Sequence, residues 1–189
     1  MHIGLDRVQL HLDWLKTKLI LDLNASGAAK RIVTRKYVYQ CNLGRGVGSE
    51  QEKERPCVIL QCFDGNRNSP NTIVAPITHS KSTLDVVVPI ATQYKDDGSV
   101  LLDGHVLLGN IVTVSKARLG DYITRLPNHE MKLVDEAIAK SLEIWWRFQK
   151  LENIIKDKDV YIEKLLEQRQ LLQNEIKTLK SKLDKQVKI

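Results

Sequence analysis

A chain of 189 residues with a net charge of +6 has room for one compact domain plus extensions, and its basic excess suits a polyanionic partner. No uninterrupted apolar run reaches the ~18 residues that a membrane span needs. The amphipathic N-terminus carries Asp6 and Asp13, unlike a secretory signal, so a cytoplasmic protein away from membranes is expected.

All five prolines lie between Pro56 and Pro127, and eight of the ten glycines lie between Gly44 and Gly120. That uneven placement predicts a β-rich centre bracketed by long helices. Residues 5–23 come first, with Leu5, Val8, Leu12, Leu15 and Leu19 at steps of three and four, the seam of an amphipathic helix. Asn24, Ser26 and Gly27 are expected to end it. The centre reads as short strands at 37–43, 56–63, 72–78, 85–90, 100–106 and 107–114, which suits a small barrel or rolled sheet. From Asn128 on, neither Gly nor Pro interrupts the chain, and the span reads as one helix of roughly 90 Å. Leu151, Ile155, Ile162, Leu165, Leu172, Ile176, Leu179 and Leu183 form a heptad seam on it, broken by Lys158 and Arg169. Such a stripe needs a partner in water. A second copy, the N-terminal helix, or a bundle of both would serve, and the bundle is the expected arrangement. The three cysteines, Cys41, Cys57 and Cys62, show no CxxC spacing and no histidine cluster, and are read as reduced thiols.

The segment from Gly48 to Thr78 carries the functional signal. A polar loop, GSEQEKE, enters Arg55-Pro56 and the apolar run CVILQC; a turn-rich FDGNRNSPN follows, then TIVAPIT. Paired as antiparallel neighbours about a centre near Asn66 and Arg67, position i faces roughly position 133 minus i. Arg55 then lies opposite Thr78, beneath the polar loop. Pro56 and Pro76 sit at the same end and donate nothing to the ladder, so the strands should splay there. A cation, a hydroxyl and a loop at one sheet end are suited to hold a phosphate.

These residues resemble the PemK/MazF toxins of bacterial toxin-antitoxin systems, in the order VGSEQ, RP before a strand, and IVAPIT closing on threonine. The resemblance covers roughly residues 35–145. It implies a mainly β fold, a small barrel related to SH3 and CcdB-like toxins, here with long flanking helices. It also implies a homodimer and a metal-independent endoribonuclease that cuts single-stranded RNA at short motifs, leaving a cyclic phosphate and a 5′-hydroxyl. The expected domains are an N-terminal helix and linker (1–34), the barrel (35–148) and a C-terminal coiled coil (149–189).

In the resemblance Arg55 is catalytic, its planar guanidinium suited to the extra negative charge of a phosphorane. The alternative for Arg55 is a surface ion pair with Glu52 or Glu54. Thr78 contacts the scissile phosphate; the alternative is a strand-capping β-former. Ser49, Glu50 and Gln51 match the loop that lies over the RNA, with Gly44, Gly46 and Gly48 lending it mobility. Neither arginine nor threonine is a comfortable base. His79 has a suitable ionisation but, by strand alternation, points to the other face. The family's Glu-Gln-Ile-Arg stretch is here GNIVT: Asn110 stands for the glutamine, while Gly109 and Val112 lose two charges. Only Phe63, Tyr94 and Tyr122 are placed to stack on bases, and Trp145, Trp146 and Phe148 are read as packing.

With no P-loop, HExxH or carboxylate cluster in the sequence, no cofactor and no metal site are expected. The implied partners are single-stranded RNA, a second copy, a small antitoxin and, with it, promoter DNA. The competing reading keeps the barrel as a non-catalytic binding module, gyrase-inhibitor-like or DNA-binding, dimerised by its coiled coil.

Overall fold

The computed structural model describes residues 4–80 and 82–186. These residues fall into two compact units, divided between Leu142 and Glu143. The first holds helices α1 (Leu5–Leu23) and α2 (Ala25–Ala28), strands β1 (Tyr37–Asn42) and β2 (Glu54–Ile59), the short helix α3 (Phe63–Asn68) and β3 (Asn71–Thr78). It continues with β4 (Val87–Tyr94), β5 (Val100–Leu107), β6 (Val112–Ser115), β7 (Leu119–Arg125) and α4 (Asn128–Ser141). The second unit carries α5 (Trp145–Gln186).

The strands make one curled antiparallel sheet in the order β4-β5-β3-β2-β1-β7, with β6 also paired to β3. Side chains alternate across it and build two apolar layers. Val38, Val58, Ala75, Ile77 and Val106 face one way, under Leu126 and the Met131, Val134 and Ala137 face of α4. Tyr39, Cys41, Cys57, Ile59 and Val74 face the other way, with Val33, Val114 and Leu119. A barrel-like β core with long flanking helices is thus present.

The link between β2 and β3 is helical rather than a plain turn. A buried polar chain fixes it: Thr72 Oγ1 donates to Asn66 Oδ1 (2.7 Å) and Asn66 Nδ2 donates to the Gln61 carbonyl (2.9 Å). Lys116 Nζ donates to the Asn66 carbonyl at 2.5 Å. The backbone NH of Asn66 also bonds Cys62 O, so this one residue satisfies itself four ways.

Other elements depart from the sequence expectation. The 107–114 segment is not one strand: a 3-10 turn at Leu108–Asn110 precedes β6. Strand β7, Leu119–Arg125, lies outside every strand expected from the sequence. There Gly120 lies close to Gln40 of the irregularly paired β1, and Arg31 donates to the Leu119 and Gly120 carbonyls. Asn24 does end α1, yet Ser26 and Gly27 continue in the helical turn of α2. The long C-terminal helix is two helices, because Glu143 adopts a left-handed φ of +55° after α4 closes on Leu142.

On α1, the seam leucines are exposed, from 51% at Leu15 to 84% at Leu5. The half-buried positions are Trp14, Thr17 and Leu21, at steps of three and four on another face. On α5 the heptad positions are likewise open, from 44% at Leu165 to 61% at Leu183.

Asn66→Ala strips Gln61 and Thr72 of their buried partners. We expect a loss of about 2–4 kcal/mol in urea unfolding, with an unchanged denaturant slope.

Candidate active site

The site begins where β2 parts from β3. Cys57, Val58 and Ile59 face Pro76, Ala75 and Val74, the 133-minus-i register. Beyond Cys57–Pro76 the ladder stops. Arg55 pairs with Cys41 on β1, and Thr78 with His105 on β5. Strand alternation puts Arg55 on the face of Cys57, and Thr78 on the face of Pro76. Since Cys57 and Pro76 are direct partners, guanidinium and hydroxyl leave the same face of the sheet on either side of the split.

Half-buried Arg55 donates Nε to the Glu52 carbonyl at 2.9 Å. Among the described residues no carboxylate holds it: the Glu52 side chain accepts from Arg45 (3.1 Å) and from the Gly46 amide (3.3 Å) instead. Its terminal nitrogens have no protein acceptor among the described residues. One nitrogen thus aims the group and two are left for a ligand. Thr78 Oγ1 accepts from the Ser80 amide at 3.3 Å, which leaves its own proton available to donate.

The loop 43–53 is tied at its neck, Leu43 NH to Lys53 O at 2.8 Å and Lys53 NH to Gly44 O at 2.7 Å. Inside it Glu50 caps the Val47 amide at 2.9 Å. Its first glycine serves close approach rather than looseness: Gly44 has φ +86°, and a Cβ there would stand 2.4 Å from the Trp14 ring. Trp14 in turn stacks under Arg118 at 5.2 Å, while Arg118 Nη1 donates to the Asn42 and Leu43 carbonyls. Helix α1 therefore braces the loop through one aromatic side chain.

Between this loop and the segment from Gly109 to Ser115 lies a cleft of about 640 Å³, lined also by Arg45, Pro76 and Arg118. Glu50, Gln51 and Asn110 meet in it; Ser49, Arg55, Thr78 and His79 do not line it. Pro76 joins it to the strand that ends at Thr78. Among the described residues, Gln51 Oε1 and Arg45 Nε are buried without hydrogen-bond partners. Phe63, Tyr94 and Tyr122 are exposed outside it, Tyr122 packed against Tyr37 and Tyr39.

His79 corrects the expectation from alternation. It lies in a bend past the end of β3, where the strand rule lapses, and its Nε2 meets Asp103 Oδ1 at 2.6 Å. Trp14, Arg45, Arg118, Asp103 and His105 were not singled out in the sequence; each is placed by a long-range contact that no local pattern marks.

Among the described residues no cluster of three or more His, Cys, Asp or Glu could hold a metal ion. All three cysteines are free thiols, Cys41 and Cys57 buried and Cys62 exposed. The neighbouring Cys41 thiol and burial push the Cys57 thiol far up, so it stays un-ionised.

Trp14→Ala should loosen the loop without unfolding the sheet. Amide hydrogen exchange should speed up at Gly44 and Lys53, with core amides such as Val58 unchanged.

A family model described as PemK-like, MazF-like toxin of type II toxin-antitoxin system matches residues 34–142. Endoribonuclease EndoA of Bacillus subtilis (strain 168) is 40% identical over 113 residues, which is 60% of this chain and 97% of that protein. Among solved structures, an endoribonuclease in complex with its cognate antitoxin from Mycobacterial species is 26% identical, with a TM-score of 0.50 over 59% of this chain and 96% of its own. MazF (Form-I) from Deinococcus radiodurans shares the fold at 16% identity, with a TM-score of 0.52 over 60% of this chain and 98% of its own. Helices α1, α2 and α5 lie outside the family match.

Proposed function

The chain belongs to the PemK-like, MazF-like toxin family of type II toxin-antitoxin systems, and from that premise we propose that it is an endoribonuclease cutting single-stranded RNA at short sequence motifs. One observation carries the reading: Arg55 and Thr78 flank the split between β2 and β3 on one face, and Arg55 has two nitrogens to spare.

The reaction starts with in-line attack of a 2′-hydroxyl on the adjacent phosphorus. The phosphorane gains negative charge, and the Arg55 guanidinium meets it with two parallel hydrogen bonds. Thr78 donates to a non-bridging oxygen or to the departing 5′-oxygen. The products are a 2′,3′-cyclic phosphate and a 5′-hydroxyl. The guanidinium supplies the charge that a metal ion supplies in other nucleases, so the proposed reaction is metal-independent. Ser49, Glu50, Gln51 and Asn110 read the bases beside the cleaved bond, with Gln51 and Asn110 offering amides to base edges.

The net charge of +6 supports an RNA partner and, with an antitoxin, promoter DNA. A small antitoxin would fill the same cleft. No described helix is long and apolar enough to cross a membrane; the proposed RNA substrate is what supports a cytoplasmic location.

We also read α5 as the dimerisation element. Ile155, Ile162 and Ile176 fall on one heptad position and Leu151, Leu165, Leu172 and Leu179 on the other, the isoleucine-then-leucine pattern of a parallel two-stranded coiled coil.

Expressed in bacteria, the wild type should create new RNA 5′-hydroxyl ends that Arg55→Ala does not. Equal toxicity or equal silence from both would instead favour a non-catalytic binding module, which the loss of charge at Gly109 and Val112 supports. Truncation after Gln149 should weaken the dimer at least tenfold in sedimentation; an unchanged dimer would remove the coiled-coil role.

A further inference from the structure

The proposed cleavage leaves one role unfilled. Something must take the proton of the attacking 2′-hydroxyl, and neither arginine nor threonine is basic enough. The structure gathers three titratable groups beside Thr78. His105 on β5 is its direct antiparallel partner, so both side chains leave the same face with Cβ atoms about 5 Å apart. Asp103, two residues earlier on β5, shares that face, since Leu102 and Val106 point into the core. His79 follows Thr78 and bonds Asp103 through Nε2 at 2.6 Å, which brings its ring round to the same side. Gly104 permits the approach. Its φ is +114°, and a Cβ there would stand 2.5 Å from the Thr78 carbonyl oxygen.

We propose that His79, oriented by Asp103, is the general base of RNA cleavage; this rests on the reading of Arg55 and Thr78 as the cleavage site. With Nε2–H donated to the Asp103 carboxylate, Nδ1 carries the lone pair. Nδ1 takes the 2′-hydroxyl proton as the O2′–P bond forms and the P–O5′ bond breaks. The departing 5′-oxygen takes a proton from water, and the imidazolium returns its proton to solvent. The His79 side chain is 79% exposed and so open to an RNA strand. Asp103 is a positioning residue that fixes tautomer and ring angle. An ion pair this exposed adds little to stability, so a merely structural role predicts little change in either folding or rate on its removal.

Among the described residues, the titratable or charged groups placed around His79 are Asp103, which it bonds, and His105 on β5, with Arg55 on β2 across the split; β4 sets Pro89 opposite His105. His105 is the rival base, with its Nδ1 buried and unpartnered.

The test is single-turnover cleavage of a short single-stranded RNA by the full chain across pH. His79→Gln should lower kcat about 100-fold, with KM within about threefold, and should abolish the ascending limb of the profile. Asp103→Asn should lower kcat in the same direction at unchanged thermal stability. An unaltered rate and profile in His79→Gln, with Arg55→Ala inactive, would overturn the base assignment and leave the site standing. Loss confined to His105→Asn would overturn it as well. Full activity in Arg55→Ala would overturn the site itself and the base assignment with it.

Discussion

One residue without a backbone NH, Pro56, stands where this sheet divides. Pro56 and Pro76 lie at the same end of the β2–β3 pair, and their last shared rung is Cys57–Pro76. Bonded rungs alternate along an antiparallel ladder. Leu60 NH bonds Ile73 O, so the even residues of β2 aim their donors at β3, and the next bonded rung after Cys57–Pro76 would need a donor that Pro56 lacks. Strand β3 gives its last residues to β5 and β2 continues along β1. Arg55 and Thr78 stand half-buried on the sheet face opposite α4, one on each side of the split. On the proposed reading, this break in the ladder is where a phosphate approaches both side chains.

Around that split the chain has built its own supports. The loop 43–53 is closed by paired backbone bonds and pressed against Trp14 of α1, a helix outside the matched family region. Arg118 links the same tryptophan to the cleft by stacking on it while holding two carbonyls at the loop's base. Preorganisation of this kind matters in a mechanism that depends on position and charge, because every ångström of looseness lowers the rate. The GNIVT segment lacks one charge of each sign that the family stretch carries but keeps an amide at Asn110, exposed on a 3-10 turn.

Much of this could be read from residue order. The 133-minus-i register, the splay at the prolines, the strand cores and the span of α1 all follow from local chemistry: alternation, missing donors and apolar spacing. What could not be read depends on contacts far apart in sequence. Asn66 looks like a turn residue, yet Lys116 and Thr72 make it the buried centre of α3. Glu143 carries no breaker signal, and only its left-handed backbone separates α4 from α5. The face of α1 that meets the first unit is set by Trp14 rather than by the leucine seam, whose regular spacing is the stronger pattern. His79 reads as pointing to the face opposite Thr78, but it bonds Asp103, 24 residues away.

The account stands on one placement, an RNA phosphate held between Arg55 and Thr78. The most direct measurement is a crystal structure of the full chain with a single-stranded oligonucleotide made uncleavable by a 2′-deoxy sugar at the attacking position. We expect one phosphate within hydrogen-bonding distance of both the Arg55 guanidinium and the Thr78 hydroxyl, with the strand running along the cleft past Gln51 and Asn110. An oligonucleotide bound on the α4 side of the sheet, or touching only one of the two side chains, would contradict it.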